Sequence, residues 1–323
     1  MRDRIAGLTA GITLALAAMT AAAQYPSKPV RVIVPYPPGA SADVITRKVS
    51  QRLAEVLGQP FVVENRVGAG GNIGLGVLAK AAPDGYTIGL GIASNVAANA
   101  HLYKSMPYDA EKDFAPISLL ASVPTLFVVS LSVPAENARG LAELAKSKPG
   151  WLSYASGGVG SIAHLSAEIF RVQAGIEVVH VPFKSASDII NALLSNNVAY
   201  GFPVLSTAFT HVKAGKLRAL GVTGKKRHPL LPDVPTMYEA FPPGFDLDTW
   251  YALFAPAGTP QETVARLHAE IVKMMQDAAF VERFTSDGTE VRVSTSPEEL
   301  AAYVRAEIVK WGNVIKASGA RLD

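Results

Sequence analysis

The chain has 323 residues, of which 49% are hydrophobic and 18% charged. That is enough for about two ordinary domains and too apolar for a disordered chain. Thirty Lys and Arg against 27 Asp and Glu leave a net charge of +3, too even for a nucleic-acid-binding stripe, and the absence of cysteine excludes disulfides, thiolate nucleophiles, Cys-ligated zinc, iron–sulfur clusters and a cysteine-linked lipid.

Arg2 and Arg4 form a short positive start, and Ile5 to Ala23 then carries no charge. Ala21-Ala22-Ala23 places small residues where a signal peptidase needs them. The reading is an export signal over 1–23, cut after Ala23, with the rest free in the periplasm. No later stretch approaches the ~20 apolar residues of a membrane span.

Beyond the signal, apolar runs alternate with glycine-bearing turns and helical periods. Val30–Pro35 is the first predicted strand, and the turn around Pro37-Pro38-Gly39-Ala40-Ser41 follows it. Val44, Ile45, Val49, Leu53 and Val56 recur at helical spacing up to Gly58, a natural terminator. Strands are predicted at Phe61–Glu64 and Tyr86–Gly91, with a helix at Ile73–Ala81 between them. The pattern restarts with strands at Leu126–Ser130 and Leu152–Ala155, the turn 156–161 and a helix at Ile162–Val172. Strands at Val178–Val181, Ala199–Val204 and Leu217–Val222 follow, with a helix at Ser187–Leu194. After Asp248, Trp-Tyr-Ala-Leu-Phe-Ala-Pro reads as a strand, and Gln261–Gln276 and Pro297–Ala317 as helices that pack back on the first unit. The alternation predicts an α/β protein of two units, each a mostly parallel sheet flanked by helices. The first comprises 24–125 plus 249–323 and the second 126–248. The chain crosses between them twice, which leaves a cleft.

Ligands of open α/β sheets bind beyond the carboxyl ends of the strands, and the turns 36–43 and 156–161 both fall there. Gly158–Ala163 fits G-x-G-x-x-A, but Glu177 precedes the next strand, whereas a ribose-binding acid follows it. Gly74–Ala79 fits the same pattern inside a helical segment. No cofactor is expected. The six histidines form no H-E-x-x-H pair, and His164 with Glu168 reads as a helix-surface pair before a metal site. Asp43 suits helix capping or ligand contact equally well. Lys225-Lys226-Arg227 reads as a solvated loop, and the three tryptophans as core or junction residues. Two helix N-termini facing a cleft suit a small carboxylate without a dedicated arginine, and Ser41, Ser156 and Ser161 add hydroxyl donors.

At these residues the chain resembles the Bug receptors, the periplasmic solute-binding proteins of tripartite tricarboxylate transporters. The matching stretches are Tyr25–Gly39 (YPSKPVRVIVPYPPG), Val63–Gly74 (VENRVGAGGNIG), Ala82–Thr87 (APDGYT), Leu230–Thr236 (LLPDVPT) and Ala255–Pro260 (APAGTP). Together they span the mature chain. The resemblance implies a two-domain periplasmic-binding-protein fold, type II-like, that closes on carboxylated ligands. It implies ligand contacts, some through water, at Tyr36, Pro38, Gly39, Ala40, Ser41 and Asp43, and at Ser156, Gly157, Gly160, Ser161 and His164. Ser94 and Asn95 should line the pocket, with Phe183, Lys184 and Phe202 facing it from the second unit. The chain departs from the family pattern at Ala40, where a glycine is common, at Phe183-Lys184-Ser185 in place of Tyr-Lys-Gly, and at Pro203, where many relatives carry aspartate. These changes make the pocket less acidic and more apolar, and argue against ligands with a free ammonium.

The function implied is a monomeric receptor that hands a small organic carboxylate to membrane transporter subunits, with no nucleic-acid partner. Two other readings stay open at this point: a ligand sensor for a signalling partner, and a periplasmic enzyme using His164 and Asp43 as acid and base. The lack of a triad or metal set argues against the enzyme.

Overall fold

A computed structural model describes residues 25–183, 186–242, 245 and 247–318. The export signal and Lys184 therefore lie outside the described residues. Strand β1 (Val30–Val34) is buried at four of its five positions, as a Val/Ile run covered on both faces must be. It pairs in parallel with β2 (Phe61–Asn65) and β3 (Thr87–Ile92). The helix Ser41–Leu57 crosses from β1 to β2 and buries Ile45, Val49 and Leu53 at four-residue spacing, the stripe that docks a surface helix on a sheet. Removing one such buried leucine costs about 2–5 kcal/mol.

Strand β4 (Phe114–Pro124) ends the first pass, and the chain steps through Thr125 into β5 (Leu126–Val129) of a second sheet. That sheet is completed by β6 (Ser153–Ser156), β7 (Val179–Pro182), β8 (Tyr200–Gly201) and β9 (Arg218–Val222), in the order β7-β6-β8-β5-β9. The chain returns as β10 (Asp248–Pro256), inserts between β3 and β4, and adds β11 (Glu290–Val291) on the far side of β4, giving β11-β4-β10-β3-β1-β2. The two crossings run side by side, with Asp248 opposite Pro124 and Thr249 opposite Val123. Thr223 ties them to β9, since its N–H donates to Thr125 O (2.9 Å) and its Oγ1 accepts the Thr125 N–H (2.8 Å).

Both sheets are mixed where strand–helix alternation predicted mostly parallel ones. Pairs β1–β2, β1–β3, β6–β7 and β6–β8 are parallel, whereas β10 is antiparallel to β3 and β4, and β5 to β8 and β9. The crossing strands cause this. β1, β3, β6 and β8 end at the cleft, while β5 and β10 enter their sheets from it and must run the other way.

The C-terminal helix Pro297–Ser318 packs on β4, as expected, and also on the helix Ile162–Ala174 of the second unit. Trp250 and Trp311 are fully buried, and both indole N–H groups donate to Oε2 of buried Glu307 at 2.9 and 3.1 Å. A buried carboxylate needs such partners. Trp151 departs from its core expectation: it is 54% exposed beneath the Lys148 ammonium.

Candidate functional site

The carboxyl ends of the strands dictate where helices begin. A helix or helical turn starts at the cleft after β1 (Ser41–Leu57), β3 (Ala93–Ala98, a π-helical turn), β6 (Ile162–Ala174), β7 (Ala186–Leu194) and β8 (Leu205–Lys213). Their first residues or N-caps, Ala40, Ile92, Ser161, Ala186 and Val204, all line one cavity of about 210 Å³. Tyr36, Ser41, Ala42, Ser94, Gly157 and Gly160 are also on its wall, with Gly70, Asn99, Thr249 and Tyr251. No charged side chain is among the described residues of that wall. Positive potential there comes from peptide dipoles and unpaired first-turn N–H groups, an arrangement that favours an anion. Ala42, Ile92, Val159, Ile162 and Val204 supply an apolar surround for the body of a ligand.

The first turn is held by Asp43. Its carboxylate, only 3% exposed, accepts from the Gly39 N–H (3.0 Å), Arg47 Nε (2.9 Å) and Asn65 Nδ2 (2.9 Å). Burial pulls its pKa up, but the bonds from Arg47, Asn65 and Gly39 outweigh that and keep it below the ordinary carboxylate value. Asn65 Nδ2 also donates to Tyr36 O (2.8 Å). Asp43 is therefore a brace behind the wall, and the Gly39 amide is consumed by it. The Tyr36 hydroxyl meets Ser94 Oγ (2.9 Å) and donates to Gly70 O (3.3 Å). The glycines of the loop beside it are required: at Gly71, φ is +95°, and a Cβ would sit 2.6 Å from Asn95 Nδ2 and 3.2 Å from the Tyr36 hydroxyl.

The second turn is backed by a stack of rings. Ser161 caps its helix by accepting the His164 N–H (3.3 Å) and donates its own proton to Gly158 O (2.8 Å). The Gly160 N–H donates to His164 Nδ1 (3.3 Å), and Ser156 Oγ lies 2.6 Å from His180 Nε2. The two imidazoles are 4.7 Å apart, and His180 stacks on Tyr154 at 4.8 Å. Burial first, and then the second imidazole, lowers the His164 pKa to about 4; burial also lowers that of His180.

Several expected contacts thus sit off the cavity wall. Pro38 and Gly39 lie on the exposed outer side of the first turn. Asn95 caps the π-helical turn through Ile92 N–H (2.8 Å). Ser156 and His164 stand behind the second turn. Phe183 borders a shallow surface hollow with Asp188 and Asn191. Phe202 is wholly buried, stacked on Phe127 at 4.4 Å and Phe245 at 6.1 Å: its ring completes an aromatic core. The sequence reading did not single out Gly70, Asn99, Thr249 or Tyr251. Thr249 and Tyr251 carried a usable signal, the period-2 alternation of β10, which turns both to the same face.

Glu168 accepts from the Tyr154 hydroxyl and Arg171 Nε, both at 2.7 Å, and no group of three metal-ligating side chains occurs among the described residues. Asp43 and His164, the acid–base pair of the enzyme reading, are both absent from the cavity wall.

The comparisons with known proteins agree with this geometry. Residues 45–320 match the family described as tripartite tricarboxylate transporter family receptor. Protein BugT of Bordetella pertussis is 35% identical over 311 residues, covering 96% of this chain and 95% of BugT. Among solved structures, R. palustris Rpa4515 with adipate superposes with a TM-score of 0.86 at 34% identity, covering 92% of this chain and all of that one. MatC from Rhodopseudomonas palustris with bound malate gives 0.82 at 32% identity, covering 90% and 100%.

Proposed function

The chain belongs to the tripartite tricarboxylate transporter receptor family, and from that premise we propose that it captures a small organic carboxylate in the cavity between its sheets and presents it to the membrane subunits of such a transporter. It is a solute-binding receptor of the periplasmic type, with a periplasmic-binding-protein fold. The observation that carries the ligand class is the cavity: five helical N-termini, the Ser41 hydroxyl, and an apolar surround. A carboxylate oxygen accepts from such donors in short charge-assisted bonds. The matched structures hold adipate and malate, and a dicarboxylate of that size is the ligand assigned to this chain.

Ser41 and the first turn of the helix Ile162–Ala174 belong to opposite sides of the cleft. A ligand bonding to both binds the shut form best, and binding energy then favours closure by that difference in affinity. The units that move are 24–125 with 249–323, and 126–248; the adjacent crossings near Val123–Leu126 and Asp248–Tyr251 are the hinge. Tyr36, Ala40, Ser41, Ser94, Gly157, Gly160 and Ser161 contact the ligand, whereas Asp43, Asn95, Ser156 and His164 position them. The mature receptor begins at Gln24, acts as a monomer and performs no chemistry on its ligand. No helix among the described residues is long and apolar enough to cross a membrane.

Native mass spectrometry of freshly purified protein, followed by calorimetry with adipate and malate, tests the proposal. A retained small acid, or saturable 1:1 binding of either compound, is expected. A protein that binds neither, retains no acid and converts a carboxylate to product would overturn it.

A further inference from the structure

The helix Leu205–Lys213 belongs to the second unit, yet its first turn rests on the first. Ser206 Oγ lies 3.0 Å from Ser41 Oγ, across the cleft. One residue earlier, Leu205 is fully buried against the loop that leads into β11. There Gly288 has φ +87°, and a Cβ on it would come within 2.1 Å of Leu205 Cδ2. Only glycine provides both that backbone conformation and that close approach. A polar contact and an apolar contact, carried by neighbouring residues of one helix end, therefore join the two units at the rim of the cavity.

Ser41 is the shared element. Tyr251 stands near it, its phenol held above its ordinary pKa by burial. Tyr251 and Ser41 are both on the cavity wall. A serine hydroxyl has one proton to donate, so Ser41 can give it to Ser206 or to an incoming carboxylate oxygen, and not to both.

We infer that Ser206 is a residue of the binding site and that its hydrogen bond to Ser41 is a cross-cleft latch, in which the Ser206 oxygen occupies the place at Ser41 that a ligand carboxylate oxygen takes. The inference rests on the receptor reading above. Both latch partners are protein atoms, so the bond supports the shut cleft before any carboxylate arrives. On binding, Ser41 turns its proton to the ligand, and the Ser206 hydroxyl, freed of its partner, donates to the same carboxylate. The latch raises the population of the shut form before ligand arrives, and the Ser206–carboxylate bond replaces it in the complex.

The test uses spin labels at Glu55→Cys, in the last turn of the helix Ser41–Leu57, and Lys216→Cys, just past the helix Leu205–Lys213. The chain has no cysteine of its own, so both labels are specific. Distances are measured by double electron–electron resonance without ligand and with saturating adipate. Without ligand, Ser206→Ala should shift the closed-to-open ratio toward open by roughly two- to tenfold, the worth of one neutral hydrogen bond. Ser206→Thr, which keeps the hydroxyl, should match the parent. Gly288→Ala, which displaces Leu205, should open the cleft by the independent apolar route. Equal ligand-free distributions for Ser206→Ala and the parent would overturn the latch. If adipate shortens the distance in no form, the receptor reading fails instead, and the ligand-free comparison still decides the latch.

Discussion

The two cavity turns solve the same problem in opposite ways. In the first, the polar side chain is used for shape: Asp43 holds Gly39, Arg47 and Asn65, and the N-cap Ala40 offers no side-chain cap to its helix. The helix end is left open toward the cavity. In the second, Ser161 caps its own helix and buried His164 takes up the Gly160 amide. The difference teaches that a helix N-terminus is a strong anion site only to the extent that the protein leaves it unsatisfied. Affinity for a carboxylate should therefore reside more in the first turn than in the second, although both lie at strand ends and look alike in sequence.

The variant Ser41→Pro presses this hardest. Ala40 is already extended at φ −68°, ψ 156°, as a residue before proline must be, and the first helical position accepts proline readily. The change deletes one amide donor and one hydroxyl donor while the helix persists. Calorimetry should show affinity for adipate falling by roughly ten- to more than a hundredfold, at about 1.5–3 kcal/mol per charge-assisted bond. An unchanged affinity would remove the first turn from the site.

Asp43→Ala should act through the turn's shape. It leaves the Gly39 amide, Arg47 and Asn65 without their common acceptor, and the expected loss of stability is about 1–3 kcal/mol by denaturant titration. Affinity should fall with it, since the amides at 39–42 lose their fixed positions. A variant as stable as the parent would show that Asp43 is no brace.

Acid separates the second turn from the first. His164 has its pKa lowered from 6.5 to about 4 in the folded protein, so between those values the unfolded chain binds a proton that the native state refuses. Stability should then fall as pH drops from about 6.5 toward 4, by an amount on the order of 1–3 kcal/mol. Asp43, with its pKa lowered below an ordinary carboxylate value, loses its contribution only at still lower pH. His180 and His228 also have lowered values, chiefly through burial, so His164→Gln should flatten the slope in that window without abolishing it. An unaltered slope would contradict the assignment.

Ser161→Ala should have the smallest effect. Losing the cap costs about 1 kcal/mol of stability, and affinity should drop by less than in Ser41→Pro because this hydroxyl is already engaged within the protein. The reverse ranking would invert the comparison between the turns.

Much of this architecture was legible from periodicity. The helix at 41–57 followed from Ile45, Val49 and Leu53, and β1 from its unbroken Val/Ile run, because local pattern fixes both. Strand β4 was not, since Pro116 and Pro124 break its run and its pairing with β10 shifts register at two points. The helix Leu205–Lys213 escaped for a related reason: it is short, and it buries only Leu205 and Ala208. With it went Ser206 and one of the N-termini at the cavity. Phe202 shows a further limit. An apolar residue at a strand end reads identically as pocket wall or as core, and only the neighbouring Phe127 and Phe245 rings decide. Strand alternation puts Thr249 and Tyr251 on one face, but they arrive from the far end of the chain, and only the sheet order, with β10 beside β3, brings that face to Tyr36 and Ser41.

The most direct test of the whole account is a crystal structure of the receptor with adipate. One carboxylate is expected against the first turn of the helix Ser41–Leu57, with oxygens about 3 Å from Ser41 donors, and with the first turn of the helix Ile162–Ala174 completing the shell from the other side, directly or through one water. A carboxylate held instead by a lysine or arginine side chain, or seated outside the cavity of the five N-termini, would contradict it.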